Sequence, residues 1–196
     1  MTTNALKSNK DIILIGASTG GPNAIEKIVS EFEKDLNAAV LIVQHMPGGF
    51  TKTFAERLNK KCQLEVLEAK DGLKVEKNKV YIAPGGYHMV VREKGIIEIN
   101  KDEPIWGVRP AVDKLFISAS PIYNSRVMSI ILTGMGKDGA EGTAVVKSNN
   151  GITIAQDENS SVIYGMPKSA YETGYVDYVL PLNDIATKIK SLIKGS

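Results

Sequence analysis

Three side chains of this 196-residue sequence have the types that nucleophilic catalysis requires, and each stands in a loop rich in glycine. Ser18 lies in Gly16-Ala-Ser-Thr-Gly-Gly21, His45 in Gln44-His-Met-Pro-Gly-Gly49, and Asp138 in Thr133-Gly-Met-Gly-Lys-Asp-Gly139. A serine hydroxyl is a poor nucleophile until a neighbouring imidazole accepts its proton. The imidazole in turn needs a carboxylate to fix its tautomer and to stabilise the imidazolium. With only two histidines in the chain, the choice of base is between His45 and His88. His88 falls in an alternating run, where a structural use is the simpler expectation. Each member of the trio also has a plainer reading. The serine loop suits a tight turn or an anion-binding loop. His45 suits a satisfied loop histidine, and Asp138, in front of an apolar-periodic segment, suits the N-cap of its own helix. An oxyanion would need backbone N–H donors nearby. Candidates are the amide of Met135, which the flanking glycines leave free to turn inward, and the amides after Ser18, beginning with Thr19.

These loops need a scaffold that brings them to one place. Ile12 to Ile15, Ala39 to Val43 and Val127 to Leu132 are unbroken apolar runs, the pattern of strands covered on both faces. Each ends at one of the three loops. Helical spacing predicts helices over 23–32, 50–59, 111–120, 140–148, 165–173 and 181–194. Further strands are predicted over 63–67, 79–83, 151–155 and 176–180. The runs 87–92 and 95–100, joined by Glu93-Lys94-Gly95, predict an antiparallel hairpin. The segment 101–110 holds Pro104, Trp106, Gly107 and Pro110 and reads as an ordered loop. Alternating strands and helices over the whole length predict an α/β fold: one doubly wound, mostly parallel sheet, with an antiparallel β-hairpin at one edge. A single domain is expected over 1–196, with 1–10 as a flexible N-terminal segment. If the three main strands are parallel neighbours, Ser18, His45 and Asp138 emerge at the same edge, where open α/β sheets place their chemistry.

Composition narrows the function. The chain is 43% hydrophobic and 23% charged, the balance of a globular protein with a sizeable core. With 24 basic and 22 acidic residues, scattered along the chain, it has no electrostatic footprint for nucleic acid. No run approaches the ~18 apolar residues of a membrane span. A lone cysteine, Cys62, and the lack of a signal-like start fit a cytoplasmic location. The glycines around Ser18 imitate a dinucleotide fingerprint, but Ser18 replaces its middle glycine. Gln44 and His45 also stand where an acidic ribose ligand belongs. No Walker lysine follows the glycines. Two distant histidines and one cysteine make no metal set. Gly16-Ala-Ser18-Thr-Gly20 fits the nucleophile elbow of α/β-hydrolases, but there the acid precedes the histidine, whereas here it follows.

Six ordered segments carry a more specific signal. Gly16 to Gly21, Val43-Gln-His45-Met with Phe50-Thr51, Ala83-Pro-Gly85 with His88-Met89, Arg109 to Phe116, Leu132 to Ala140, and Ala155-Gln-Asp157 with Gly165-Met-Pro167 stand in family order. In these the chain resembles the catalytic domain of the chemotaxis protein-glutamate methylesterases (the CheB family), over nearly everything from Asp11 to Leu180. The resemblance implies Ser18 as nucleophile, His45 as base, Asp138 as orienting acid and the Met135 amide as an oxyanion donor. It implies hydrolysis of glutamyl γ-methyl esters on cytoplasmic helices of chemoreceptors, with deamidation of receptor glutamines by the same acyl-enzyme route, and no cofactor or metal. Family members usually carry an N-terminal receiver domain, whereas here about ten residues precede the first strand, so regulation, including any separate regulatory protein, stays open. Lys137 stands where the family often has Asn and is expected to be a solvated side chain. Two other readings remain: a non-catalytic receptor-binding module and a small-molecule serine esterase.

Overall fold

The computed structural model describes residues 11–194; the expected flexible segment 1–10 lies outside them. Nine strands and six α-helices follow in the order β1 (Ile12–Ala17), α1 (Gly21–Val29), β2 (Ala39–Gln44), α2 (Phe50–Lys61), β3 (Glu65–Glu68), β4 (Lys79–Ile82), β5 (His88–Arg92), β6 (Ile96–Asn100), α3 (Val112–Tyr123), β7 (Val127–Ile131), α4 (Ala140–Ser148), β8 (Ile152–Gln156), α5 (Met166–Glu172), β9 (Tyr178–Leu180) and α6 (Leu182–Lys194). Seven strands form one parallel sheet in the order β3-β4-β2-β1-β7-β8-β9. β1 lies at its centre, with Ile15 opposite Ile42 of β2 on one side and Ile130 of β7 on the other.

The aliphatic runs are explained by two cores, one on each face. Ile13, Ile15 and Ala17 of β1 point into a core shared with α1, α2 and α6; Ile12 and Leu14 point into the other, shared with α3 and Val146 of α4. Alternate residues of one strand therefore face opposite layers, and along β1 every side chain before the strand end is apolar or absent. Three buried polar residues fall at the carboxyl ends: Gln44 closes β2, Thr133 follows β7 by two residues, and Gln156 closes β8.

The hairpin is antiparallel, with His88 opposite Asn100 and Arg92 opposite Ile96. It makes a small sheet of its own. Its β5 packs on α3, where the Val91 amide donates to Ser118 Oγ at 3.0 Å. Several helix ends shift by one to three residues from the sequence reading, with the C-termini of α1 and α3 among the largest shifts. α1 stops at Val29, and the chain reaches buried Phe32 through tighter turns, with the Phe32 amide donating to the Val29 carbonyl. α3 runs past Ser120 and through Pro121 to Tyr123. The proline forfeits one backbone bond, while Ile122 and Tyr123 continue the apolar stripe against the second core.

Candidate active site

The three sequence-predicted side chains do leave the sheet at one edge, from the ends of the neighbouring strands β2, β1 and β7. The backbone brings the loops into register. The His45 amide donates to the Ala17 carbonyl at 3.0 Å and the Ser18 amide to the Thr133 carbonyl at 3.0 Å. Ser18 is half-buried at the crest before α1 and Thr19 is exposed. Gly20 carries φ of +82°, and a Cβ there would come within 2.7 Å of Val162. Gly134 lies flat against the serine: a Cβ on it would meet Ser18 Cβ at 2.7 Å. These two glycines let the chain turn sharply and let the β7 loop approach the hydroxyl.

His45 and Asp138 form a direct pair, Nε2 to Oδ2 at 2.7 Å. The histidine side chain is 11% exposed and the aspartate 3%. A carboxylate acceptor places the ring proton on Nε2 and leaves the Nδ1 lone pair for a second partner. No hydrogen bond joins Ser18 Oγ to His45 among the described residues. Such contacts are often long before substrate binds.

Asp138 does not cap its own helix. Its Oδ2 accepts the Val112 amide at 2.6 Å and its Oδ1 the Asp113 amide at 2.9 Å, so it caps α3 from across the sheet edge. The start of α4 is taken instead by Asp113, whose Oδ1 accepts the amides of Gly139 at 3.0 Å and Gly142 at 2.7 Å. The two aspartates thus cap each other's helices. Helix N-termini favour negative charge, which suits a carboxylate that must stabilise an imidazolium. Burial raises the Asp113 carboxyl to about 6, against the Gly142 amide, which lowers it, and with the Asp138 charge, which raises it further.

Sequence reasoning missed the polar residues that hold the loops. The Gln44 amide donates through Nε2 to the Ser18 carbonyl at 2.9 Å and to the His45 carbonyl at 3.1 Å, clamping the two loops with one side chain. Thr133 Oγ1 donates to the Thr19 carbonyl at 3.0 Å and accepts the Ile163 amide. The Thr133 amide donates to Gln156 Oε1 at 2.8 Å. The available signal was a polar residue at or just past the end of an apolar run, the one place on these strands where it could serve a loop.

Lys137 is exposed, as expected of a solvated side chain, and its ammonium also lies 3.7 Å from the centre of the Trp106 ring. Met135 is 68% exposed. Its amide and that of Thr19 have no hydrogen-bond partner among the described residues. Beside His45 lies an open cleft of about 280 Å³, lined by Met46 and Pro47 on one side and by residues 107–110 on the other. Two further cavities lie away from the trio, around Glu33 and Lys190 and around Asp11 and Arg126. Among the described residues no group of histidine, cysteine or acidic side chains could hold a metal ion, and no helix is long and apolar enough to cross a membrane.

This geometry fits acyl transfer, and comparison with known proteins points the same way. The family model for CheB methylesterase matches residues 13–189. A protein-glutamate methylesterase/protein-glutamine glutaminase of Clostridium acetobutylicum is 54% identical over 194 residues, covering 98% of this chain and 56% of that protein. The protein of the same name from Thermotoga maritima is 45% identical, covering 93% of this chain and 54% of the relative. The chain therefore spans about half the length of these curated relatives. The crystal structure of the Thermotoga maritima CheB methylesterase catalytic domain superposes with a TM-score of 0.90 at 45% identity, over 93% of this chain and 98% of that one. With this match in sequence and in fold, the chain belongs to the CheB methylesterase family.

Proposed function

We propose that this chain is the catalytic unit of a protein-glutamate methylesterase, a single domain over 1–196 that hydrolyses glutamyl γ-methyl esters on the cytoplasmic helices of chemoreceptors. The observation that carries the reading is the buried His45–Asp138 pair at the strand end next to Ser18. Ser18 Oγ attacks the ester carbonyl while His45 Nδ1 takes its proton and Asp138 steadies the imidazolium. The tetrahedral oxyanion is met by the Thr19 and Met135 amides. Collapse expels methoxide, which takes the proton back from His45 and leaves as methanol. Water then gives a proton to His45 as its oxygen attacks the acyl carbon; the second tetrahedral adduct collapses with loss of Ser18 Oγ, which takes the proton back from His45, and the glutamate side chain is released as its carboxylate. A glutamine amide follows the same route with ammonia as the leaving group, consistent with the second activity in the relatives' names. No step calls for a metal or cofactor.

The cleft favours a side-chain ester presented by a macromolecule. Enclosed small-molecule sites usually bury most of their ligand in ~300–1,000 Å³, whereas this cleft is near the lower limit and open. A binding module without catalysis would have no use for a buried carboxylate–imidazole pair. A protein side-chain ester as substrate agrees with the relatives' names, and chemoreceptor helices as partner and the cytoplasm as location are part of the proposal. The test is methanol release from a methylated receptor fragment. The intact chain should release it and Ser18→Ala should not; equal release by both would overturn the assignment of Ser18.

A further inference from the structure

Asp113 is a charged side chain 1% exposed that the proposed chemistry does not use. The peptide unit joining Asp138 to Gly139 carries the Gly139 N–H, which points at Asp113 Oδ1. Asp113 therefore grips the backbone of the acid itself. Its own amide reaches back to Asp138 Oδ1, closing a ring of two aspartates and two helix starts.

The other Asp113 oxygen leads outward. Trp106 Nε1–H donates to Oδ2 at 3.2 Å. The indole is 55% exposed and lies under the Lys137 ammonium. Trp106 and Gly107 occupy the centre of a tight turn closed by reciprocal bonds between Ile105 and Val108, at 3.1 and 2.9 Å. Their φ angles are +53° and +77°. Such turns favour Asn-Gly, and a bulky residue at positive φ is strained. A tryptophan kept there is held by something, and the contacts holding it are Asp113 and Lys137, the residue before Asp138. Residues 107–110 of the same segment line the cleft opposite His45.

We propose that Asp113, braced by Trp106, is a positioning residue that sets Asp138 against His45. It acts through the 138–139 peptide, and Trp106 ties that peptide to the cleft wall. The kinetic part of this inference rests on the hydrolase reading; the spectroscopic part does not.

The test compares Asp113→Ala, Asp113→Asn, Trp106→Phe and the Asp113→Asn/Trp106→Phe pair in the full chain. The first readout is the ¹⁵N shifts of the His45 ring, measured where the ring is neutral and assigned against His88→Gln. The intact chain should carry its proton on Nε2. Asp113→Ala should give a tautomer mixture, with kcat for methanol release down about tenfold or more and KM within about twofold, as misplacement of a catalytic group produces. Asn keeps an oxygen for Gly139 and Gly142 but sets its NH2 against the indole N–H. The double variant removes that conflict and should recover the Nε2 proton and most of kcat. Trp106→Phe, a change at an exposed ring, should lower kcat about threefold. Should Asp113→Ala not fold, the other three decide. An Asp113→Ala chain with an unshifted tautomer and kcat overturns the inference. So do a double variant no better than Asp113→Asn and a Trp106→Phe chain equal to the parent. If the intact chain releases no methanol, the hydrolase reading fails while the tautomer still decides the role of Asp113.

Discussion

The two histidines sit at the same helix start and have opposite fates. Three consecutive amides open α3. His88 Nδ1 accepts the first, from Ala111 at 3.2 Å, and Asp138 accepts the next two, from Val112 and Asp113. The other nitrogen of His88 donates to the Glu103 carbonyl at 3.0 Å, and the residue is fully buried. Its ring is committed to backbone at both ends and has no lone pair for a substrate. Burial also pushes it below the usual histidine value, partly offset by the Glu103 carbonyl. His45 spends one nitrogen on a carboxylate and keeps the other at the rim of a cleft. What separates the two imidazoles is the number of nitrogens already taken, both in His88 and one in His45, and this is why the proposed base is His45.

That contrast can be broken from either side. The largest effect is expected from His45→Gln: methanol release should fall by at least ~10³-fold, as loss of a triad member does, with a nearly unchanged thermal midpoint. Gln44→Leu comes next. It frees the Ser18 and His45 carbonyls from their shared clamp, and kcat should fall roughly tenfold or more, read in the same assay. His88→Leu should behave in the reverse way. It leaves the Ala111 amide and Glu103 carbonyl without partners, lowering stability by ~1–3 kcal/mol in denaturant titration, while kcat per folded molecule stays within about threefold.

Acid sharpens the same point. The folded chain binds a proton at His88 less readily than the unfolded chain does. Its contribution is therefore complete above the unfolded value near 6.5 and declines as pH falls through it. Thermal unfolding of the intact chain should lose ground to His88→Gln below that pH. The smallest effect is expected at the other end of β5. Arg92 and Glu98 form a two-pronged pair at 2.7 Å on an open surface, and the arginine, first, and Asn100 hold the Glu98 carboxyl down at about 2. Arg92→Ala should cost no more than about 1 kcal/mol.

Much of this was legible in the residues. Ser18, His45 and Asp138 could be picked out because each follows an apolar run by two to six residues, and such runs are the central strands of a doubly wound sheet. The exchange of helix caps was hidden. A cap reading looks one turn ahead along the chain, and from there Asp138 belongs to α4. Only the adjacency of α3 and α4 lets each aspartate serve the other's helix. Gln44 was legible as an obstacle to a nucleotide, but its role as a clamp needed the knowledge that Ser18 and His45 lie side by side. Lys137 is exposed as expected, but its contact with Trp106 was hidden, because that ring is far away in sequence and stands in a turn conformation that its residue type disfavours.

The sheet order also bears on when this site comes into being. β1 and β2 are near in sequence and pair first on grounds of loop length alone, bringing Ser18 beside His45. The acid and the Met135 loop arrive only when β7 docks on β1, a contact spanning more than 100 residues, since Arg126 meets Asp11 across 115 positions. Long-range parallel pairing is the slow part of folding. A newly made chain therefore holds a serine and an imidazole with nothing to align them for most of its folding time. The trio of the proposed function is complete only when the last central strand closes.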